Sequence, residues 1–168
     1  GGPVVTLTDA STDGALAAAV LAPFIEASVL GDSELALVTT FERVTRRGGH
    51  TPSPNVLLGL AVAARGPRSG HVCVVLDDVA ALLVDERNEA AELPWPSRDE
   101  WLADLSADDV LVSSPDTATN APLRPLVLDG NRLYLQRYWV YEQRVASDFL
   151  ARTAGASALG WADGDISA

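Results

Sequence analysis

The sequence predicts a mainly α protein with a small β-hairpin or sheet, an α+β fold. Three observations predict it. Apolar residues recur at helical spacing, with caps, from residue 13 to residue 65. A single β-branched run, "HVCVVL" at 71–76, reads as a buried strand. Then "RPLVLDGNRLYLQRYWVYEQRVASDFLARTA", residues 124–154, reads as a tight hairpin running straight into an aromatic, arginine-bearing helix.

Each element follows from local chemistry. Residues 1–22 read as a tail with a partial helix, "TDGALAAAVLA", capped by Thr12 or Asp13. Pro23 ends or kinks that helix, or opens the next, placed near 23–30 and closed by Gly31. In "DSELALVTTFERVTRR", Asp32 is the expected N-cap, and Leu35, Val38, Phe41 (or Glu42) and Thr45 form the inner stripe. Arg46, Arg47, Gly48 and Gly49 suit a helix end. Ser53 before Pro54 starts a helix to about Arg65 that is apolar all round, and so central.

"GPRSG" turns the chain into the strand. "DDVAALLVDE" resumes a short helix capped by Asp77 or Asp78. "LPWP" at 93–96 is rigid, and Ser97 caps "RDEWLADLSADD", with Trp101, Leu102 and Leu105 on one face. "SSPDTATNAPL" reads as the longest flexible loop. Leu126, Leu128, Leu133 and Leu135 share one face whichever two-residue loop is used, and a Gly130-Asn131 loop also sets Asp129 opposite Arg132. The last helix, about 137–153, is expected to turn Tyr138, Tyr141, Val145 and Phe149 inward, with Trp139 and Leu150 on the shoulder. From residue 53 this is the element order of a winged-helix core, with the hairpin as wing, preceded by N-terminal helices.

Composition removes several functions. A chain of 168 residues can bury roughly 70% of its unfolded surface, so it needs neither metal nor disulfide to fold. No apolar run is long enough for a membrane span, and the reading is cytoplasmic. Cys73, the one cysteine, excludes an internal disulfide and reads as a buried, inert thiol. All twelve basic residues are Arg. Without Lys there is no phosphate-binding P-loop and no Schiff base.

Net charge is −11, which opposes sequence-blind binding to DNA or anionic membranes. It is uneven. Residues 124–154 hold five Arg against Asp129, Glu142 and Asp148, a net of +2, leaving about −13 elsewhere. The helix that would enter the major groove in a winged-helix reader, "SRDEWLADLSADD", carries five acids against Arg98 and would be repelled by phosphates.

No catalytic constellation emerges. "GASAL" at 155–159 is not a nucleophile elbow, and His50 and His71 lack metal-ligand spacing. Asp77-Asp78 and Asp108-Asp109 suit helix caps or solvated faces better than an acid/base pair. Glu142 falls inside the apolar face of the last helix. It therefore needs an internal Arg clamp or a partner subunit. Trp95, Trp101 and Trp139 divide between core and interface anchor.

Gly70-His71-Val72-Cys73, then Leu133-Tyr134-Leu135, Arg137, Trp139, Glu142 and Val145-Ala146 form a pattern that resembles the N-terminal domain of the RecD-type α subunit of exodeoxyribonuclease V, the RecBCD helicase–nuclease. The similarity covers roughly residues 24–154. It implies a RecD-type N-terminal domain over 23–154, and 155–168 as a linker towards an absent ATPase motor. It implies RecB- and RecC-type partners and a non-catalytic assembly role in double-strand-break processing, with DNA met only through the full complex. Arg132, Arg137, Trp139, Glu142 and Arg144 become the expected partner-interface residues. No cofactor is expected in this segment; the parent, a 5′→3′ DNA helicase, would use ATP and Mg. The alternative is a stand-alone winged-helix DNA-binding regulator, which requires the hairpin arginines to touch phosphates. A small hydrolase is a distant third.

Overall fold

The computed structural model describes residues 13–83, 92–118 and 124–158. It is α+β: helices α1 (Ala15–Glu26), α2 (Asp32–Arg47), α3 (Pro54–Arg65), α4 (Val79–Leu83), α5 (Arg98–Ala107), α6 (Pro115–Ala118) and α7 (Gln136–Ala158) surround one small sheet. The strands are β1 (Cys73–Val75), β2 (Val112–Ser113), β3 (Leu126–Asp129) and β4 (Arg132–Leu135), ordered β1-β4-β3-β2. Strand β4 lies antiparallel to both β1 and β3; β2 adds parallel to β3.

Helix α3 is the centre. Every residue from Val56 to Ala63 is buried, as expected of a helix apolar all round. The Ser53 hydroxyl accepts from the Val56 N–H, and Pro54 sits where its missing N–H costs nothing. Gly59 permits close packing: a Cβ there would lie 3.1 Å from Leu105 Cδ2 and 3.3 Å from Leu133 Cδ2. Trp101 fills the same wall, its Nε1–H donating to the Asn55 carbonyl at 2.8 Å. Trp95 packs edge-on against Phe24 and lies 6.2 Å from Trp101, so both indoles serve the core.

The N-terminal pair is held by an acid the sequence reading ranked second. Glu42 is 0% exposed on α2. Its Oε2 accepts from the Ala17 N–H at 2.8 Å, and its Oε1 lies 2.9 Å from Arg46 Nε, an ion pair without hydrogen-bond alignment. Ala17 is in the first turn of α1, whose N-cap, Gly14, has no side chain. Glu42 therefore caps α1 from a neighbouring helix, where a carboxylate also meets the positive end of the dipole. Asp13 does not cap, and Thr12 lies outside the described residues. Gly14 is at φ 96°, and a Cβ would run into Thr39 Cγ2 at 2.4 Å, so glycine lets α1 and α2 touch.

Several expectations are corrected. Pro23 neither ends nor begins a helix: α1 runs through it, so no helix boundary falls at residue 23. Proline there forfeits the bond to the Ala19 carbonyl, and the burial of Leu21 and Phe24 on either side offsets that cost. Gly31, not Asp32, precedes α2, and Glu34 reaches back to its N–H at 2.8 Å. The strand at 71–76 shortens to three residues at a sheet edge, leaving Cys73 half-buried rather than enclosed. The expected loop at 113–123 contains part of β2 and all of α6, while 119–123 lie outside the described residues.

The hairpin is as expected. Asp129 faces Arg132, and Leu126 and Leu128 face Leu135 and Leu133. Its turn is not free. The Leu76 N–H donates to the Asn131 carbonyl at 2.9 Å, and the Asn131 amide donates to Asp77, which also pairs with Arg98 at 3.0 Å.

Candidate partner interface

The opposite face of the hairpin roots α7. Val127 and Tyr134 point away from the main core and close a second cluster with Ala118 and Trp139. The Tyr134 and Trp139 rings meet edge-on, centroids 5.1 Å apart. Burial, reinforced by the Cys73 thiol and the Glu142 carboxylate, pushes the Tyr134 phenol up to about 12. Trp139, at 7% exposed, is an anchor for its own domain.

Beyond Trp139 the helix leaves the domain. Every residue from Val140 to Gly155 is exposed. Tyr141 is 67%, Val145 51%, Phe149 66% and Leu150 65% exposed. Beyond the half-buried Tyr138 the expected inward face therefore points outward, because α7 packs on β3, β4 and Ala118 near its start. Glu142 is exposed as well, and among the described residues it forms no internal Arg clamp. A carboxylate on an apolar face incurs no burial cost while that face is wet. The helix runs on to Ala158, so the segment expected as linker begins helical.

Arg132, Arg137 and Arg144 are all exposed. Arg132 stands on β4 and Arg144 on the projecting helix. Arg137 lies over the Tyr138 ring, 4.8 Å from its centroid, and donates to the Tyr138 hydroxyl at 3.2 Å. Four of the five expected interface residues thus surround the root and the outer half of α7, and Trp139 lies beneath it.

Sequence reasoning missed a cleft of about 770 Å³ at that root. Leu37 and Phe41 of α2 form one wall; Pro125, Leu135 and Tyr138 form the other. Pro67 and Arg68 close it from the turn after α3, and Arg137 stands at the α7 side. The signal available was the half-apolar row Leu37-Phe41-Val44 on α2, one turn apart.

Asp104 on α5 and Asp108 at its C-terminal end are engaged internally. Asp104 accepts from Ser53 at 3.1 Å and from Asn55 at 2.8 Å. Asp108 accepts from the Val110 and Leu111 N–H groups and meets His50 Nε2 at 2.9 Å. Among the described residues no group of His, Cys, Asp or Glu is placed to hold a metal ion. No described helix is long and apolar enough to cross a membrane.

The family model for the N-terminal domain of the RecBCD enzyme subunit RecD matches residues 26–134. The chain belongs to the RecD N-terminal domain family. It is 42% identical over 100 residues to the RecBCD enzyme subunit RecD of Mycolicibacterium smegmatis, covering 60% of this chain and 16% of that protein. It is 32% identical over 135 residues to the RecD subunit of Mycobacterium tuberculosis, in strains CDC 1551 and H37Rv, covering 80% of this chain and 20% of those proteins. The chain thus spans at most a fifth of the length of these RecD relatives. The family match stops at Tyr134, on the strand that anchors α7.

Proposed function

We propose that this RecD N-terminal domain is a non-catalytic assembly domain of a RecD-like DNA helicase subunit of exodeoxyribonuclease V. In this reading it docks the motor of the longer protein onto RecB- and RecC-type subunits in double-strand-break repair and recombination. The observation that carries the reading is the outward face of α7. Tyr141, Val145, Phe149 and Leu150 lie on successive turns and stand in water, and burying such a side chain fully is worth roughly 1.5–3 kcal/mol. A contiguous apolar stripe of this kind marks a binding surface. Arg137, Arg144 and Glu142 flank it, and Arg is among the residue types enriched at interface hot spots.

Nucleotide chemistry belongs to other parts of the longer protein. ATP and Mg would be held by its motor, and a chain without Lys has no P-loop to offer. DNA is reached through the assembled complex, since the net charge of −11 disfavours phosphate binding by the domain itself.

The test is co-purification of the chain with RecB- and RecC-type subunits of the same organism, alongside ATPase and DNA mobility-shift assays on the chain alone. Capture by the partners, with no ATP hydrolysis and no shift, is expected. A salt-sensitive shift by the chain alone, lost on Arg132→Ala or Arg137→Ala, would replace this reading with the stand-alone DNA-binding one.

A further inference from the structure

We infer that the cleft at the root of α7 is a second docking site, one that receives an apolar, acid-bearing segment of a partner protein. The inference rests on the assembly reading and adds to it a second contact and the chemistry of its occupant. The cleft, about 770 Å³, lies within the range of about 300–1,000 Å³ usual for binding pockets. Its walls are mostly carbon, from Leu37, Phe41, Leu135 and Tyr138.

The exposed charged groups of its lining have one sign. Arg68 bridges Glu34 through Nη1 alone, at 3.4 Å, and its side chain is 56% exposed. Arg137 rests on Tyr138 and is exposed. The acid in the lining, Glu34, is buried, and its carboxylate already accepts from the Gly31 N–H and from Ser33. Its burial leaves the exposed charge of the lining to the two guanidinium groups. Two exposed guanidinium groups therefore frame an apolar floor in a chain at −11, and the complementary occupant carries carboxylates beside apolar side chains.

The occupant is a polypeptide for two reasons. Tyr138 and Arg137 belong both to the cleft and to the helix that bears the outward stripe, so an occupant of the cleft can continue along α7. Two cations above a buried carboxylate are too few to hold a nucleic-acid strand, whose affinity grows with each phosphate neutralised.

The experiment places the photo-crosslinker p-benzoylphenylalanine at position 37 in place of Leu37. The chain is irradiated in complex with RecB- and RecC-type subunits, and the cross-linked peptide is read by mass spectrometry. The expected peptide comes from a partner subunit and has apolar residues with Asp or Glu within one helical turn. Arg137→Glu, at an exposed side chain with no ion-pair partner among the described residues, should weaken the complex roughly five- to tenfold at low ionic strength, and less at high salt. Arg68→Gln should weaken it in the same direction, whereas Arg47→Glu, exposed at the far end of α2, should not. A cross-link to the chain itself, to nucleic acid or to a basic peptide would overturn the inference. So would a complex that forms but yields no cross-link, or one indifferent to Arg137→Glu. If the unaltered chain binds neither partner, the assembly reading falls with it; if it binds and only the cleft experiments fail, the cleft alone is at fault.

Discussion

From Val56 to Ala63 every residue of α3 is buried, whereas from Val140 to Gly155 every residue of α7 is exposed. Both helices carry enough apolar residues to sit in a core. The α1–α2 pair, α5 and β4 pack around α3. One turn of α7, through Trp139, is packed on the sheet, and from Val140 to Gly155 the helix is exposed. The same chemistry is thus resolved inside the domain in one helix and left open in the other. An open apolar face is a property of the domain alone, and a second surface can close it.

Three predictions bear on this contrast. The largest effect comes from breaking the α3 side. Trp101→Ala removes a fully buried indole and its bond to the Asn55 carbonyl, and should cost about 3–5 kcal/mol in urea unfolding. A cost below about 1 kcal/mol would mean that α3 is not the centre of the domain.

A middle effect probes the root of α7. The Tyr134 phenol is raised to about 12, with burial as its largest cause. The unfolded chain ionises this group near the ordinary value of about 10. Below that pH it contributes its stability in full. As pH rises towards 12 the unfolded state loses its proton first, and stability falls by an amount on the order of 2 kcal/mol. Alkaline unfolding of the chain should steepen between pH 10 and 12, and Tyr134→Phe should flatten that limb. Equal limbs in the two proteins would show that the second cluster does not enclose the tyrosine.

Much of this contrast was legible in the sequence, but not its sign on α7. Ser53-Pro54 and an all-round apolar run placed α3 from Pro54 to about Arg65, where it is found, because cap and pattern agree locally. Parity fixed which leucines share a face in either register, and the structure adopts the one that sets Asp129 opposite Arg132. Helical periodicity identified the face of α7 correctly yet could not say what covers it: an amphipathic helix looks the same whether its partner is on the same chain or another. Glu142 was the available clue, a carboxylate in an apolar stripe that fits a wet or shared face better than a core.

Glu42 shows the opposite failure. A charged residue on the inner stripe of α2 ranked below Phe41, although its task is to cap a helix distant in sequence. Pro23 misled for a related reason, since the packing of Leu21 and Phe24 outweighs its local penalty. Strand β2 and helix α6 were missed because a two-residue strand and a single helical turn carry too little periodicity to register.

The smallest effect on stability is also the most direct test of the central claim. Val145→Asp combined with Phe149→Asp alters two exposed side chains outside both buried clusters, so unfolding free energy should move by no more than about 0.5 kcal/mol. In the same preparation, capture by RecB- and RecC-type subunits should be lost. Undiminished capture by the stable double variant would contradict the account, as would a large loss of stability, which would place this face of α7 inside the domain's own core.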